Sequence, residues 1–146
     1  MALLAGNLDF LAVALATHAL VGYTLGRVLF DAPLAGAVGG VVADVDLLVP
    51  AAWGDPFVHR GITHTALAAA VAVGVAAAAG DRPTAGAVAV GYASQLLVDA
   101  TTPRGIPVAY PLTATHYGAT LGGHSPEVTA GLWFCCLAVL ARRRIV

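Results

Sequence analysis

Apolar residues dominate this chain in five long segments, and the breaks between them are short and rich in proline. The segments run over residues 8–30, 34–52, 63–80, 84–102 and 127–141. Proline, which tends to begin or end a helix, falls at or near their boundaries. A membrane-spanning helix needs about 20 apolar residues, and several of these segments are shorter or interrupted. The pattern predicts an all-α, polytopic membrane bundle of four to five helices.

The composition favours the same class of protein. Hydrophobic residues make up 59% of the 146 residues and charged residues only 10%, with a mean hydropathy of +0.84. Soluble domains carry about 25% charged residues. We therefore expect one membrane-embedded domain over residues 1–146, located in the cell membrane and crossing it several times. The lipid bilayer is its expected partner, and a net charge of −1 gives no reason to expect a nucleic-acid partner.

Ionisable residues recur in or beside the apolar segments, where each costs about 2.5–3.5 kcal/mol to insert and therefore indicates function. Threading the segments up and down brings most of these residues to one end of the bundle. His and Asp in one cluster indicate a metal site before any other kind of site. The candidate ligands are His18, Asp44, Asp46, His64 and Asp99.

Asp44 and Asp46 are only two residues apart. On a regular α-helix this spacing separates two side chains by about 200°. Both carboxylates can therefore face one site only if the backbone is irregular, which the nearby Gly39, Gly40 and Pro50 favour. The alternative is a pair at a helix end that faces water.

The run His59-Arg60-Gly61-Ile62-Thr63-His64 lies just before the third segment. Thr63 is expected to cap that helix, leaving His59 on the loop and His64 in the first turn. Since the N-terminus of a helix favours anions, Arg60 and His64 there would suit a bound phosphate.

Asp99 shares a helix face with Gln95, four residues earlier. Its alternative role is an ion pair with Arg104 at the end of the segment. His116, His124 and Glu127 lie on or after the long connection 103–126, and each is expected on the surface and not in the site.

These motifs resemble the YdjM-like family, described as LexA-binding, inner-membrane-associated, metal-dependent hydrolases. The family pattern is a His in the first helix, Pro-Asp-x-Asp, His-Arg-Gly-x-Thr-His-Ser, and Ser-His-x3-Asp-x2-Thr-Pro-x-Gly-x-Pro. The resemblance covers residues 15 to 112. This chain shows Thr17-His18, Ala43-Asp44-Val45-Asp46, His59-Arg60-Gly61-Ile62-Thr63-His64-Thr65, Ser94-Gln95-Leu96-Leu97-Val98-Asp99 and Ala100-Thr101-Thr102-Pro103-Arg104-Gly105-Ile106-Pro107.

The resemblance implies a metal-dependent hydrolase, with the five candidate ligands holding one or more divalent ions. The nitrogen and carboxylate ligands suit zinc most, with manganese as the alternative. The family is also similar, more distantly, to zinc phospholipase C and P1 nuclease, which implies a phosphoester substrate, including a lipid-linked one. Arg60 and Arg104 would then hold the anionic substrate, and His59 would act as a ligand or as an acid and base.

Two residues depart from the family pattern. Ala43 replaces the Pro before the Asp pair, and Gln95 stands where the family has His. Gln is a poor zinc ligand, so Gln95 supports a second hypothesis: a catalytically inactive membrane protein that binds through the same cavity. A third hypothesis is an ion or proton pathway, against which the motifs gather at one end of the bundle.

Overall fold

A computed structural model describes residues 8–143 and contains five α-helices in that range. Three short 3-10 helices, Val42–Leu48, Ala51–Trp53 and Ile62–His64, lie between the second and third α-helices. Within the described residues, pairing between extended segments is limited to one isolated bridge, from Ile106 to Tyr117. The predicted all-α class is confirmed. The helices are α1 (Leu8–Phe30), α2 (Pro33–Val41), α3 (Ala66–Ala79), α4 (Arg82–Ala100) and α5 (Pro126–Arg142).

Helices α1, α2 and α4 pack together as the centre of the bundle, while α3 packs on α4 and α5 on α1. Glycines allow this close packing. A side chain at Gly22 or at Gly91 would collide with the backbone carbonyl of Gly36, so α1 and α4 both approach α2 at that residue. Small residues at helix contacts are typical of membrane bundles, where backbones approach closely.

The predicted helix boundaries need two corrections. The second apolar segment is not one helix, because α2 ends at Val41 and the chain continues as the 3-10 helix Val42–Leu48. Thr63 does not cap the third helix. The cap is Thr65, whose hydroxyl accepts a hydrogen bond of 3.0 Å from the Ala68 N–H.

Of the helices in residues 8–143, α1 is the one long and apolar enough to cross a membrane by length and composition. Helix α3 is apolar but has only 14 residues. It buries no residue completely, and Leu67, Val71 and Val75 are exposed along it. Of the four to five membrane spans that the sequence predicted, length and composition therefore support one, α1.

Candidate metal centre

The polar site lies where α1, the Val42–Leu48 segment, the Ile62–His64 turn and the last turn of α4 meet. The sequence predicted that five ionisable residues would converge here. All five are buried, and each lies within 4 Å of at least one other member through its side-chain oxygen or nitrogen. They are His18, Asp44, Asp46, His64 and Asp99.

His64 is the centre of this cluster and is fully buried. Its Nδ1 lies 3.1 Å from Asp46 Oδ2. Its Nε2 points the other way, 3.5 Å from Asp44 Oδ1 and 3.2 Å from Asp99 Oδ2. A carboxylate only accepts hydrogen bonds, so the Asp46 contact favours the proton on Nδ1 and leaves Nε2 free as a ligand.

Two groups of three side chains have the spacing that a metal ion requires. In each group, one ligand atom per residue lies within 4.8 Å of the others. The first group combines Asp44, His59 and His64, and the second combines His18, Asp99 and His124. The contact between His64 and Asp99 joins the two groups.

Asp46 organises the loop that carries the two histidines. It accepts hydrogen bonds from the Arg60 backbone N–H at 3.0 Å and from the Thr63 hydroxyl at 2.6 Å. His59 Nδ1 lies 2.9 Å from its other oxygen. Burial alone would raise the pKa of Asp46, but hydrogen bonds from His59, His64 and Thr63 hold it well below its usual range. Asp46 is therefore an anion, and most of its capacity to accept hydrogen bonds is already used.

The 3-10 geometry explains how Asp44 and Asp46 both face the site. Both are buried on the Val42–Leu48 segment, so the irregular backbone expected from the sequence is confirmed. Asp44 accepts a hydrogen bond of 2.6 Å from Gln95 Nε2. Gln95 is fully buried. Its side chain thus supports Asp44.

Arg60 has a left-handed backbone, with φ of 64°. Its guanidinium is buried and donates to Asp99 Oδ1 at 2.6 Å and to Thr102 Oγ1 at 2.5 Å. Asp99 therefore pairs with Arg60 and not with Arg104. Arg104 is exposed, and it donates to the His59 backbone carbonyl at 2.9 Å.

The prediction that His124 lies on the surface is wrong. Its Nε2 is 2.9 Å from Asp99 Oδ1, and its ring meets the His18 ring edge-on at 5.2 Å between centroids. The available signal was its position directly before the Ser125-Pro126 helix start, where the chain returns to the site end. His116 and Glu127 are exposed, as expected.

Three carboxylates surround His64 and favour a positive charge beside them. Burial would lower the pKa of His64, but the nearby carboxylates of Asp44, Asp46 and Asp99 raise it to about 10. His64 Nε2 and Asp99 Oδ2 are also buried without a hydrogen-bond partner. The site thus favours a positive charge between these two atoms, whether a proton or a metal ion.

Two cavities that share lining residues lie at the cluster. The inner one, of about 20 Å³, has His18, Asp44 and Asp99 in its wall. That volume suffices for about one water molecule. The outer one, of about 450 Å³, shares His59, Arg60, His124 and three apolar residues with it, and adds Thr102, Pro103 and Arg104. The cluster is thus accessible through a positively charged opening.

Comparisons with known proteins place the chain in a family. No curated protein and no solved structure matches it. The model of one family, described as YdjM inner membrane protein, matches residues 11–146, which is nearly the whole chain. The match includes every residue of the candidate metal centre. The chain therefore belongs to the YdjM inner membrane protein family.

Proposed function

We propose that this protein is a membrane-bound, metal-dependent hydrolase of phosphoesters. One observation carries the proposal. His64 rests on Asp46 through Nδ1, and its buried Nε2 faces the carboxylates of Asp44 and Asp99 without a hydrogen-bond partner. This carboxylate–histidine pairing is the arrangement that orients a metal-binding imidazole.

The donor set fits a divalent transition metal. Imidazole nitrogen and carboxylate oxygen are ligands for zinc, and they also accommodate manganese. We assign Asp46 the role of orienting His64 and do not count it as a metal ligand. Its carboxylate already accepts hydrogen bonds from the Arg60 N–H and the Thr63 hydroxyl. The proposed ligands are His18, Asp44, His59, His64, Asp99 and His124.

Gln95 does not weaken this assignment. The sequence suggested that a Gln in place of the family's His removes a ligand. Gln95 instead donates to Asp44, which lies in one of the two possible ligand groups. Each of those groups has three members without it, so the proposed metal centre does not depend on a ligand at position 95.

A divalent metal held by such ligands supplies Lewis-acid polarisation of a phosphoryl oxygen and activation of water. The chain's own residues would bind and orient the substrate. Arg60 and Arg104 line the outer cavity, and guanidinium groups pair well with phosphate oxygens. His59 lines both cavities and is held by Asp46 through Nδ1, so it is suited to transfer a proton to the leaving oxygen or to serve as a ligand.

We also propose that the protein crosses the membrane several times. Helices α4 and α5 have 19 and 17 residues, or about 28 and 25 Å at 1.5 Å per residue, close to the hydrocarbon thickness of about 30 Å. Apolar side chains are exposed on them, including Leu97 and Phe134. The apolar, unburied α3 fits the same surroundings, because exposed apolar patches of this kind favour lipid.

The test is hydrolysis by the purified, metal-loaded protein. We expect release of 4-nitrophenol from 4-nitrophenyl phosphate or bis(4-nitrophenyl) phosphate. We expect Asp99→Asn to abolish the release, and His116→Ala to leave it unchanged. A fully metal-loaded protein that hydrolyses neither ester would contradict the proposed activity and favour a binding role.

A further inference from the structure

We propose that an apolar groove beside the metal centre holds the hydrocarbon chain of an amphiphilic phosphoester, so that the substrate is a lipid-like phosphate ester. The inference rests on the proposed hydrolase function and names its substrate class. Three elements form the groove: α1, α2 and the Val42–Leu48 segment. Its volume is about 380 Å³, within the range of about 300–1,000 Å³ for small-molecule sites.

The groove is apolar along its length and charged at one position. Its lining includes Leu15 from α1, Val38 from α2, and Val45 and Leu47 from the 3-10 segment. The one ionisable residue among the lining residues is Asp44. The lining therefore suits a hydrocarbon chain that carries a polar group beside Asp44.

The charged position in the groove, Asp44, is part of the metal centre. Leu15, Asp44 and Leu47 line both the groove and the inner cavity that contains His18 and Asp99. A chain lying in the groove would thus bring its polar group to the cluster and not to bulk solvent.

The charges at the metal centre determine which polar group the occupant can carry. Arg60 and His59 lie in the inner cavity together with Asp44 and Asp99, and a bound divalent ion would neutralise those two carboxylates and leave Arg60 and the ion to attract an anion. An anionic phosphate complements these groups. The groove is also open at its side, since Val38 is 56% and Val45 49% exposed.

Lateral opening suits a substrate that arrives from the bilayer. A hydrocarbon chain can move from lipid into the groove without crossing water, and van der Waals packing against the groove residues would hold it there. Its contribution is to position the phosphorus atom. In the reaction, a water oxygen forms the new bond to phosphorus, the bond to the leaving oxygen breaks, and a water proton ends on that oxygen.

Two phosphodiesters that differ only in chain length test the groove: ethyl 4-nitrophenyl phosphate and hexadecyl 4-nitrophenyl phosphate. The variant Val38→Trp fills the groove away from the metal ligands. Its control is Val71→Trp, at an equally exposed valine on α3. All proteins are assayed with measured metal content, in micelles of one detergent at fixed concentration.

We expect Val38→Trp to lower kcat/KM for the hexadecyl ester by about tenfold, the scale of one poorly accommodated group in an apolar pocket. The ethyl ester should change less than about twofold in the same variant, and Val71→Trp should alter neither. Equal effects on the two esters, or no effect on either, would overturn the inference.

Binding of hexadecyl phosphate to the metal-loaded protein separates this inference from the proposed function. Tight binding that Val38→Trp weakens, without hydrolysis of either ester, would support the groove and refute the hydrolase. Hydrolysis of both esters with no difference in binding between hexadecyl phosphate and ethyl phosphate would support the hydrolase and refute the groove.

Discussion

His64 Nε2 lies 3.2 Å from Asp99 Oδ2, and both atoms are buried without a hydrogen-bond partner. A buried polar group left unpaired costs about 1–3 kcal/mol. The two residues come from different elements, the Ile62–His64 turn and the end of α4. The fold therefore brings together an imidazole nitrogen and a carboxylate oxygen that favour a positive charge between them, and a proton or a metal ion would supply it.

The charge state of His64 predicts a pH dependence of metal binding. Its pKa is raised from 6.5 to about 10, so in the metal-free protein it is protonated at neutral pH. That protonation stabilises the metal-free fold fully below about pH 6.5 and less as the pH rises toward 10. Metal must displace the proton, so the apparent affinity should rise by about tenfold per pH unit for each proton released.

Competition with a metal-chelating dye between about pH 6 and about pH 8 measures this slope. The His116→Ala variant, changed at an exposed histidine, should keep the same slope. An affinity that does not change with pH would contradict displacement of a proton by the metal.

Gln95 predicts a contrast between two substitutions. It donates to Asp44 at 2.6 Å from a fully buried position. Gln95→Leu removes that donor and should weaken metal binding by about 10–100-fold, the usual effect of losing a supporting hydrogen bond. Gln95→His restores the family's residue and should bind equally or more strongly. Equal affinities for wild type and Gln95→Leu, measured by titration, would remove the supporting role.

The glycine packing predicts a difference in stability. A side chain at Gly36 would meet the backbone of Gly22 and Gly26, whereas one at Gly74 would meet nothing within 4 Å. Gly36→Ala should destabilise by about 1–3 kcal/mol through overpacking. Gly74→Ala should be neutral or stabilising by up to about 1 kcal/mol, because Ala favours helix. The free energy of unfolding would be measured in detergent micelles. Equal changes in the two variants would contradict this packing.

The sequence predicted the helical class and the convergence of five polar residues, because apolar segments and their breaks are local signals. It did not assign His124 to the site, although the Ser125-Pro126 helix start places that residue where the chain returns to the site end. It placed the cap at Thr63 instead of Thr65, since both residues have the same side chain. Asp46 was predicted as a ligand, but its contacts with Arg60, Thr63 and the two nearby histidines required the folded loop to be seen.

The distribution of arginine predicts the orientation in the membrane. Arg27, Arg82, Arg142 and Arg143 belong to the end opposite the site, and Arg143 donates to the Val28 carbonyl at 3.1 Å. Arg144 lies outside the described residues. Arg60 and Arg104 are at the site end. The positive-inside rule places the arginine-rich end in the cytoplasm, with the N-terminus outside and an odd number of passes.

A reporter fused to the C-terminus checks this orientation. We expect activity from a reporter that works only in the cytoplasm. Activity from one that works only outside the cytoplasm would reverse the orientation and place the metal centre on the cytoplasmic side.

Metal content per chain tests the central claim most directly. Elemental analysis of the purified protein should find zinc or manganese, and His64→Ala or Asp99→Ala should lose most of it. His124→Ala should also lower the content, whereas His116→Ala, at an exposed histidine outside the cluster, should retain it. A wild-type protein without a divalent metal after loading, or full retention in both His64→Ala and Asp99→Ala, would contradict the metal centre.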